Sequence, residues 1–307
     1  MTPGPPPAGA PASGPPTSGP PTSGARPVTR EQLTEHLLRR RLAGPRVPTS
    51  RQQNLRSYRL FGQGDGEALM GLEPEGRWGP GAVLALMAER CGVRPDFSYG
   101  QGPDTIDPEL TLAALDRLAA LLSRTARRRG SVLAGTGHPT RLAGFYGALV
   151  GALAAAGCPV RTPGQGARLR IPTPGGDRLC LVDRLGPVLV LRALDAPPRS
   201  GRLGSGPARG AGEDLQHTHS ALPVRLAVAA LAESGHPPPD LVLGDHGWLC
   251  GAGRLGLAAG GLADSNDPAP FVGEAQGTVD VVVPVDDGAQ PGCYRLLSDY
   301  VLQRAHL

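Results

Sequence analysis

The chain has 307 residues, enough for one large or two modest domains, and its 45 Gly, 34 Pro and 4% aromatic content point to low complexity in part of it. All 31 basic residues are Arg, which fits the codon bias of a GC-rich genome, and the net charge is only +4. With no basic runs interleaved with aromatics and no apolar run of spanning length, neither a nucleic-acid nor a membrane partner is expected.

The five cysteines (Cys91, Cys158, Cys180, Cys250, Cys293) are scattered and lack CxxC spacing, so they read as reduced small hydrophobes. The first residues carry no basic segment followed by an apolar one, and a cytoplasmic location is expected.

Residues 1–28 are almost wholly Pro, Gly, Ser, Thr and Ala, with Ser13-Gly14-Pro15-Pro16-Thr17 repeated at Ser18-Gly19-Pro20-Pro21-Thr22. Such a segment has nothing to bury and is expected to be a disordered tail of polyproline II character. Residues 29–129 are expected to form a helical lead-in. Thr29 and Gln32 make a capping-box pattern, followed at helical spacing by Leu33, Leu37, Leu38 and Leu42. A second helix is expected near Ala82–Arg90, ending at Gly92. In the third, Asp107 caps, Pro108 takes the first turn, and Leu110, Leu115, Leu118 and Leu122 form the buried stripe. The triplets Arg39-Arg40-Arg41 and Arg127-Arg128-Arg129 fall at helix C-termini, where the dipole favours cations.

From residue 130 to 307 the rhythm changes to alternating strands and helices. Ser131–Ala134 is an apolar strand ending in Gly135-Thr136-Gly137-His138-Pro139, and a helix with Leu142, Phe145, Tyr146, Leu149 and Leu153 on one side follows. Short β segments are expected at 158–161, 179–182 and 188–191, then a polar loop at 197–212. His217-Thr218-His219-Ser220 precedes a helix at about 222–233. Strand 240–243 ends in Gly244-Asp245-His246-Gly247, a further segment ends in Asp264-Ser265-Asn266-Asp267-Pro268, strand 279–283 runs into Asp286-Asp287-Gly288, and a helix spans about 294–304. The alternation implies an α/β fold, a Rossmann-like, mostly parallel sheet that would bind ligand or carry catalysis.

In open α/β sheets ligands bind outside the carboxyl ends of the strands. Four of the seven histidines (His138, His217, His219, His246) lie in those ends or at His217-Thr218-His219, as do Asp245, Asp264, Asp267, Asp286 and Asp287. His217 and His219 are two residues apart, so in an extended segment both rings project from one face, a workable geometry for two ligands of one metal. His217, His219, Asp245 and Asp264 are the candidate metal ligands, and His138 and His246 the candidate acids. Thr136, Gly137, Gly247, Asn266 and Asp267 are the candidate phosphate or substrate contacts. Asp267-Pro268 also fits a helix N-cap, and Asp286-Asp287 a plain turn. Oxygen and imidazole donors suit a divalent ion such as Mn, Fe, Zn or Mg.

Gly251-Ala252-Gly253-Arg254-Leu255-Gly256 matches GxGxxG but does not directly follow a strand and lacks the acidic residue about 20 positions on, so it reads as a flexible turn. There is no P-loop and no GxSxG elbow.

The ordered set Asp104-Thr105-Ile106-Asp107-Pro108-Glu109, Thr136-Gly137-His138-Pro139, His217-Thr218-His219-Ser220, Asp245-His246-Gly247-Trp248, Asn266-Asp267-Pro268 and Val283-Pro284-Val285-Asp286-Asp287 resembles a family of actinobacterial proteins labelled "phosphatase". The resemblance covers nearly all of residues 29–305, departs from the family pattern at 197–212 and at Leu249-Cys250-Gly251, and implies a hydrolase of phosphorylated compounds. Two functions are therefore weighed. One is metal-assisted hydrolysis of a small phosphorylated metabolite; the other is a non-catalytic Rossmann-like module that binds a phosphorylated or nucleotide ligand.

Overall fold

The computed structural model describes residues 27–173, 175–194 and 214–307. The expected tail at 1–28 (apart from its last two residues) and the expected loop at 197–212 lie outside the described residues.

Helix α1 (Arg30–Arg40) begins with the Thr29–Gln32 capping box, and Arg41 closes it in the left-handed conformation. Leu33, Leu37 and Leu42 are buried, whereas Leu38 is 44% exposed. Helix α2 (Arg51–Gly62) was not marked by a continuous apolar stripe, because Arg51 and Asn54 share the buried face with Leu55, Tyr58 and Phe61. A second capping box, Ser50 with Gln53, starts it. A short turn of helix, α3 (Gly66–Leu69), and α4 (Pro80–Cys91, closed by Gly92) follow.

Helix α5 (Pro108–Arg128) is capped by Asp107 and ends at Arg129. Leu112, Leu115, Leu118 and Leu122 are fully buried, each worth about 2 kcal/mol on removal from water. Leu110 is only half-buried.

The sheet contains β1 (Val132–Gly135), β2 (Val160–Arg161), β3 (Arg168–Ile171), β4 (Arg178–Leu185), β5 (Val188–Ala193), β6 (Leu241–Gly244), β7 (Ala259–Ala263) and β8 (Val281–Pro284). Its order is β3-β4-β5-β1-β6-β7-β8, with β2 also paired to β1. Strands β2, β5 and β6 all pair with β1 in parallel, and β6-β7 and β7-β8 are parallel too. Among the named strands of the described residues, β3-β4 and β4-β5 are the antiparallel pairs. The fold is thus α/β with a mostly parallel sheet. Strands β1, β6, β7 and β8 are buried throughout, as a parallel sheet covered on both faces requires.

Helices α5 and α6 (Pro139–Ala155) pack on the sheet, and α10 (Arg295–Ala305) packs on both of them. A second helical layer is made of α7 (Leu222–Glu233), α8 (His246–Arg254) and α9 (Pro268–Ala275). Helices α2, α3 and α4 lean on α9, and α1 on α5 and α10. One hydrophobic cluster includes Leu37 and Phe61 as well as Leu133 and Val301.

The GxGxxG segment is a turn only at Leu255 and Gly256, and its first four residues close α8. Gly251, Ala252 and Gly253 are buried inside α8. A side chain at Gly251 would meet Ala221 and Val224 of the α7 region, and one at Gly253 would meet the Thr278 carbonyl, so small residues here serve close packing.

Candidate functional site

Along the parallel strands the order is β2-β1-β6-β7-β8, and the chain departs from β1 in opposite directions to reach β2 and β6. The crevice outside the carboxyl ends of β1 and β6 is therefore the switch point of the sheet. Three helices start there: α6 after His138, α8 after Asp245 and α9 after Asp267. None of these residues caps its helix with its side chain. Asp267 does occupy the N-cap position of α9 ahead of Pro268, as its sequence suggests, but its carboxylate is left to face the crevice.

His217 and His219 come from a segment that is pinned by the backbone. Gln216 N–H donates to Leu191 of β5, and Thr218 N–H donates to the Gly137 carbonyl beyond β1. A side chain on Gly137 would run into the Thr218 carbonyl, and one on Gly247 into the carbonyls of His219 and Ser220. Both glycines thus let the turns after β1 and β6 approach the His217–Ser220 segment closely.

The four imidazoles meet at this point. Ring centroids are 4.6 Å apart for His138 and His217, 5.1 Å for His217 and His219, and 5.2 Å for His217 and His246. His219 stacks on His246 at 4.7 Å. His246 is held with φ at +47°, an uncommon conformation for a residue with a side chain, at the sharp turn from β6 into α8.

Asp245 fixes the His246 ring: its Oδ1 lies 2.6 Å from Nδ1. The same carboxylate accepts from the Thr136 hydroxyl at 2.5 Å and the Gly137 N–H at 2.8 Å. Thr136 and Gly137, expected to meet phosphate, therefore spend these donors on Asp245. On its other side His246 presents Nε2 to Asp267 and Asp287, each at 3.4 Å. Asp287 Oδ2 is also 3.4 Å from His138 Nδ1, a buried nitrogen without a hydrogen-bond partner.

Among the described residues two groups of potential ligand atoms emerge, His217–His219–His246 and His138–His246–Asp287, with the atoms of each within 4.8 Å of one another. Among the expected ligands, His217 and His219 are in them; Asp245 and Asp264 are not. Asp264 accepts from the Thr49 hydroxyl at 2.5 Å and the Ser265 N–H at 2.5 Å. Thr49 N–H in turn donates to Asp286. Asn266 lies beside Asp267 on the wall of an adjoining cavity. Asp287 was read as turn material. Its position just past a wholly apolar strand was the signal that it would be carried into the crevice.

Charge follows geometry. Burial pulls His246 toward its neutral form, but Asp267, Asp245 and Asp287 outweigh it and hold the imidazolium up to about 10. Burial among its neighbours, then the charge of His246, His219 and His138, pushes His217 down to about 2, although the residue reaches solvent at the rim. Burial and the neighbouring His246 bring His219 down to about 4. Burial lifts Asp267 to about 7 against the pull of His246, aided by Asp287 and Asp245. Burial, then Asp286 and other carboxylates, raises Asp264, and burial raises Asp286. Asp287 goes the other way: burial is outweighed by His138 and His246, and it stays below the usual carboxylate range.

Fold and site define a doubly wound α/β protein with a histidine–carboxylate centre at its switch point. The family model described as "Phosphatase" matches residues 28–307, and the chain belongs to that family. A curated relative, Phosphatase SCO2771 of Streptomyces coelicolor, is 39% identical over 281 residues, spanning 91% of this chain and 97% of the relative. No helix among the described residues is long and apolar enough to cross a membrane.

Proposed function

We propose that the protein hydrolyses a small phosphorylated metabolite, a phosphomonoester, with the help of a divalent metal ion (Mn, Fe, Zn or Mg). The observation that carries this reading is the convergence of His217, His219 and His246. The donor set fits a metal. His217 and His219 are driven to the neutral form that coordinates, whereas His246, an imidazolium in the metal-free protein, would release its Nε2 proton on binding while Asp245 backs Nδ1, as carboxylates commonly back metal-binding imidazoles. The ligand set proposed here therefore takes His246 in place of Asp245 and Asp264. When bound, the ion supplies Lewis-acid charge to a phosphoryl group and lowers the pKa of water.

The chain's own residues supply the rest. The N-termini of α6, α8 and α9 favour an anionic phosphoryl group. Asp287 lies 3.4 Å from His138 Nδ1 on one side of the ring, and Nε2 on the other side would hand a proton to the departing alkoxide oxygen. Asp245 holds the Nδ1 proton of His246 and so keeps Nε2 directed inward.

The test is elemental analysis of the purified protein by inductively coupled plasma mass spectrometry, alongside hydrolysis of p-nitrophenyl phosphate. About one equivalent of metal per chain, lost together with turnover in His219→Ala, is expected. A protein that holds no metal, is not stabilised by any added divalent ion, and is stabilised by phosphorylated ligands without forming product would be a binding module instead.

A further inference from the structure

We infer that the cavity between α2–α3 and the histidine centre is a leaving-group subsite, shaped for a hydroxyl-bearing phosphomonoester of the sugar or polyol type. The inference rests on the phosphomonoesterase reading and names its substrate class. The cavity holds about 340 Å³ and is continuous with the centre, because His219 and Asp267 form part of its wall. A phosphoryl group at the histidines would place its ester substituent here.

The polar groups facing this space are left with unused hydrogen-bonding capacity. Gln53 spends its Oε1 on the Ser50 N–H and hydroxyl, which leaves its amide N–H groups to donate. Arg56 makes no ion pair among the described residues. Asn266 Oδ1 is buried and accepts nothing. The Glu67 side chain is likewise unpaired among the described residues, while its backbone carbonyl lies 3.2 Å from His219 Nδ1. The lining thus offers both donors and acceptors together with the apolar side chains of Leu60 and Met70.

A hydroxyl both donates and accepts, so a row of them matches such a lining, while the C–H face of a sugar suits the apolar wall. Other classes fit less well. No Phe, Tyr or Trp lines the space, and the one imidazole in its wall, His219, is already stacked on His246, so a nucleobase would find little aromatic surface to stack on. Asp65 and Glu67 offset Arg56, so a second anionic group would meet net negative charge. The helices that precede the sheet thereby contribute selectivity to a centre built by the sheet.

The experiment compares kcat/KM for a hexose 6-phosphate, glycerol phosphate, AMP and p-nitrophenyl phosphate in the metal-loaded wild type and in Arg56→Ala and Glu67→Gln. The wild type is expected to favour the hexose or glycerol ester. In each variant the ratio of that kcat/KM to the p-nitrophenyl phosphate value should fall about tenfold. Equal or better use of AMP by the wild type, or a ratio unmoved in both variants, overturns the inference. Should the wild type hydrolyse none of the four, the phosphatase reading fails by itself. Calorimetric titration with the hexose 6-phosphate then decides the subsite: binding weakened about tenfold in the variants upholds it, and absent or unaltered binding overturns it.

Discussion

Two clusters of buried charge sit within the same molecule and are built in opposite ways. Arg51 and Asp104 are both fully buried. Arg51 donates to Asp104 at 2.9 Å, to the Tyr99 carbonyl at 2.9 Å and to the Asp96 carbonyl at 2.8 Å. Asp104 also accepts from the Asn54 amide and the N–H groups of Arg94 and Thr105. Its lone pairs are in use. Around His246, by contrast, the carboxylates of Asp267 and Asp287 stop at 3.4 Å, and His138 Nδ1 has no hydrogen-bond partner. A saturated cluster holds two pieces of chain together; an unsaturated one, less deeply buried, keeps its ligand atoms for something that arrives from outside.

That contrast can be broken experimentally. The largest effect belongs to Arg51→Met. It strands Asp104 without its cation, and about 3–5 kcal/mol should be lost in urea-induced unfolding, with little change in metal content if the protein is folded. In Asp245→Asn the order reverses. Metal affinity, measured by competition with a chelator, should weaken about 10–100-fold because His246 loses the carboxylate that fixes its tautomer, while the fold persists. A fully retained affinity would remove Asp245 from its proposed supporting role.

A further test lies in the pH dependence of the metal-free protein. His219 has its folded value lowered to about 4 from 6.5. Between those values the unfolded chain binds a proton that the folded chain refuses, so stability rises with pH across that window. His246 has its folded value raised to about 10 from 6.5. Its contribution is fully present below 6.5 and is lost as pH climbs toward 10. Melting temperatures from pH 4 to 10 should show a shallower acid limb in His219→Gln and a shallower alkaline limb in His246→Gln. Unchanged limbs would mean that the imidazoles do not feel their neighbours in solution.

How much of this was legible beforehand differs element by element. Helix α5 announced itself, since Asp107, Pro108 and the leucine stripe act through local capping and one buried face. Helix α2 did not, because its buried face carries Arg51 and Asn54, whose burial makes sense only with Asp104, some fifty residues away, as partner. Gly251–Gly253 looked like a turn because glycine is a poor helix former, yet contacts with Ala221, Val224 and Thr278 override that preference. At the centre, the histidines were found by their position after strands. The parts played by Asp245, Asp264 and Asp287 were not, because each carboxylate's partner comes from a distant segment: Thr136 for one, Thr49 for another, His138 for the third.

The sequence by itself determined the alternation of strands and helices, and with it a mostly parallel sheet whose carboxyl ends collect histidine and aspartate. Those features follow from local periodicity, capping and turn chemistry, which act over a few residues. Only the tertiary structure decided which of those side chains face one another, because that depends on strand order. With β6 laid beside β1, the turns after both strands meet the His217–Ser220 segment, and glycine at 137 and 247 lets them close to contact. Chain neighbours such as Asp245 and His246 then differ in role: one accepts three hydrogen bonds at the back of the site, and the other turns its free nitrogen toward the crevice.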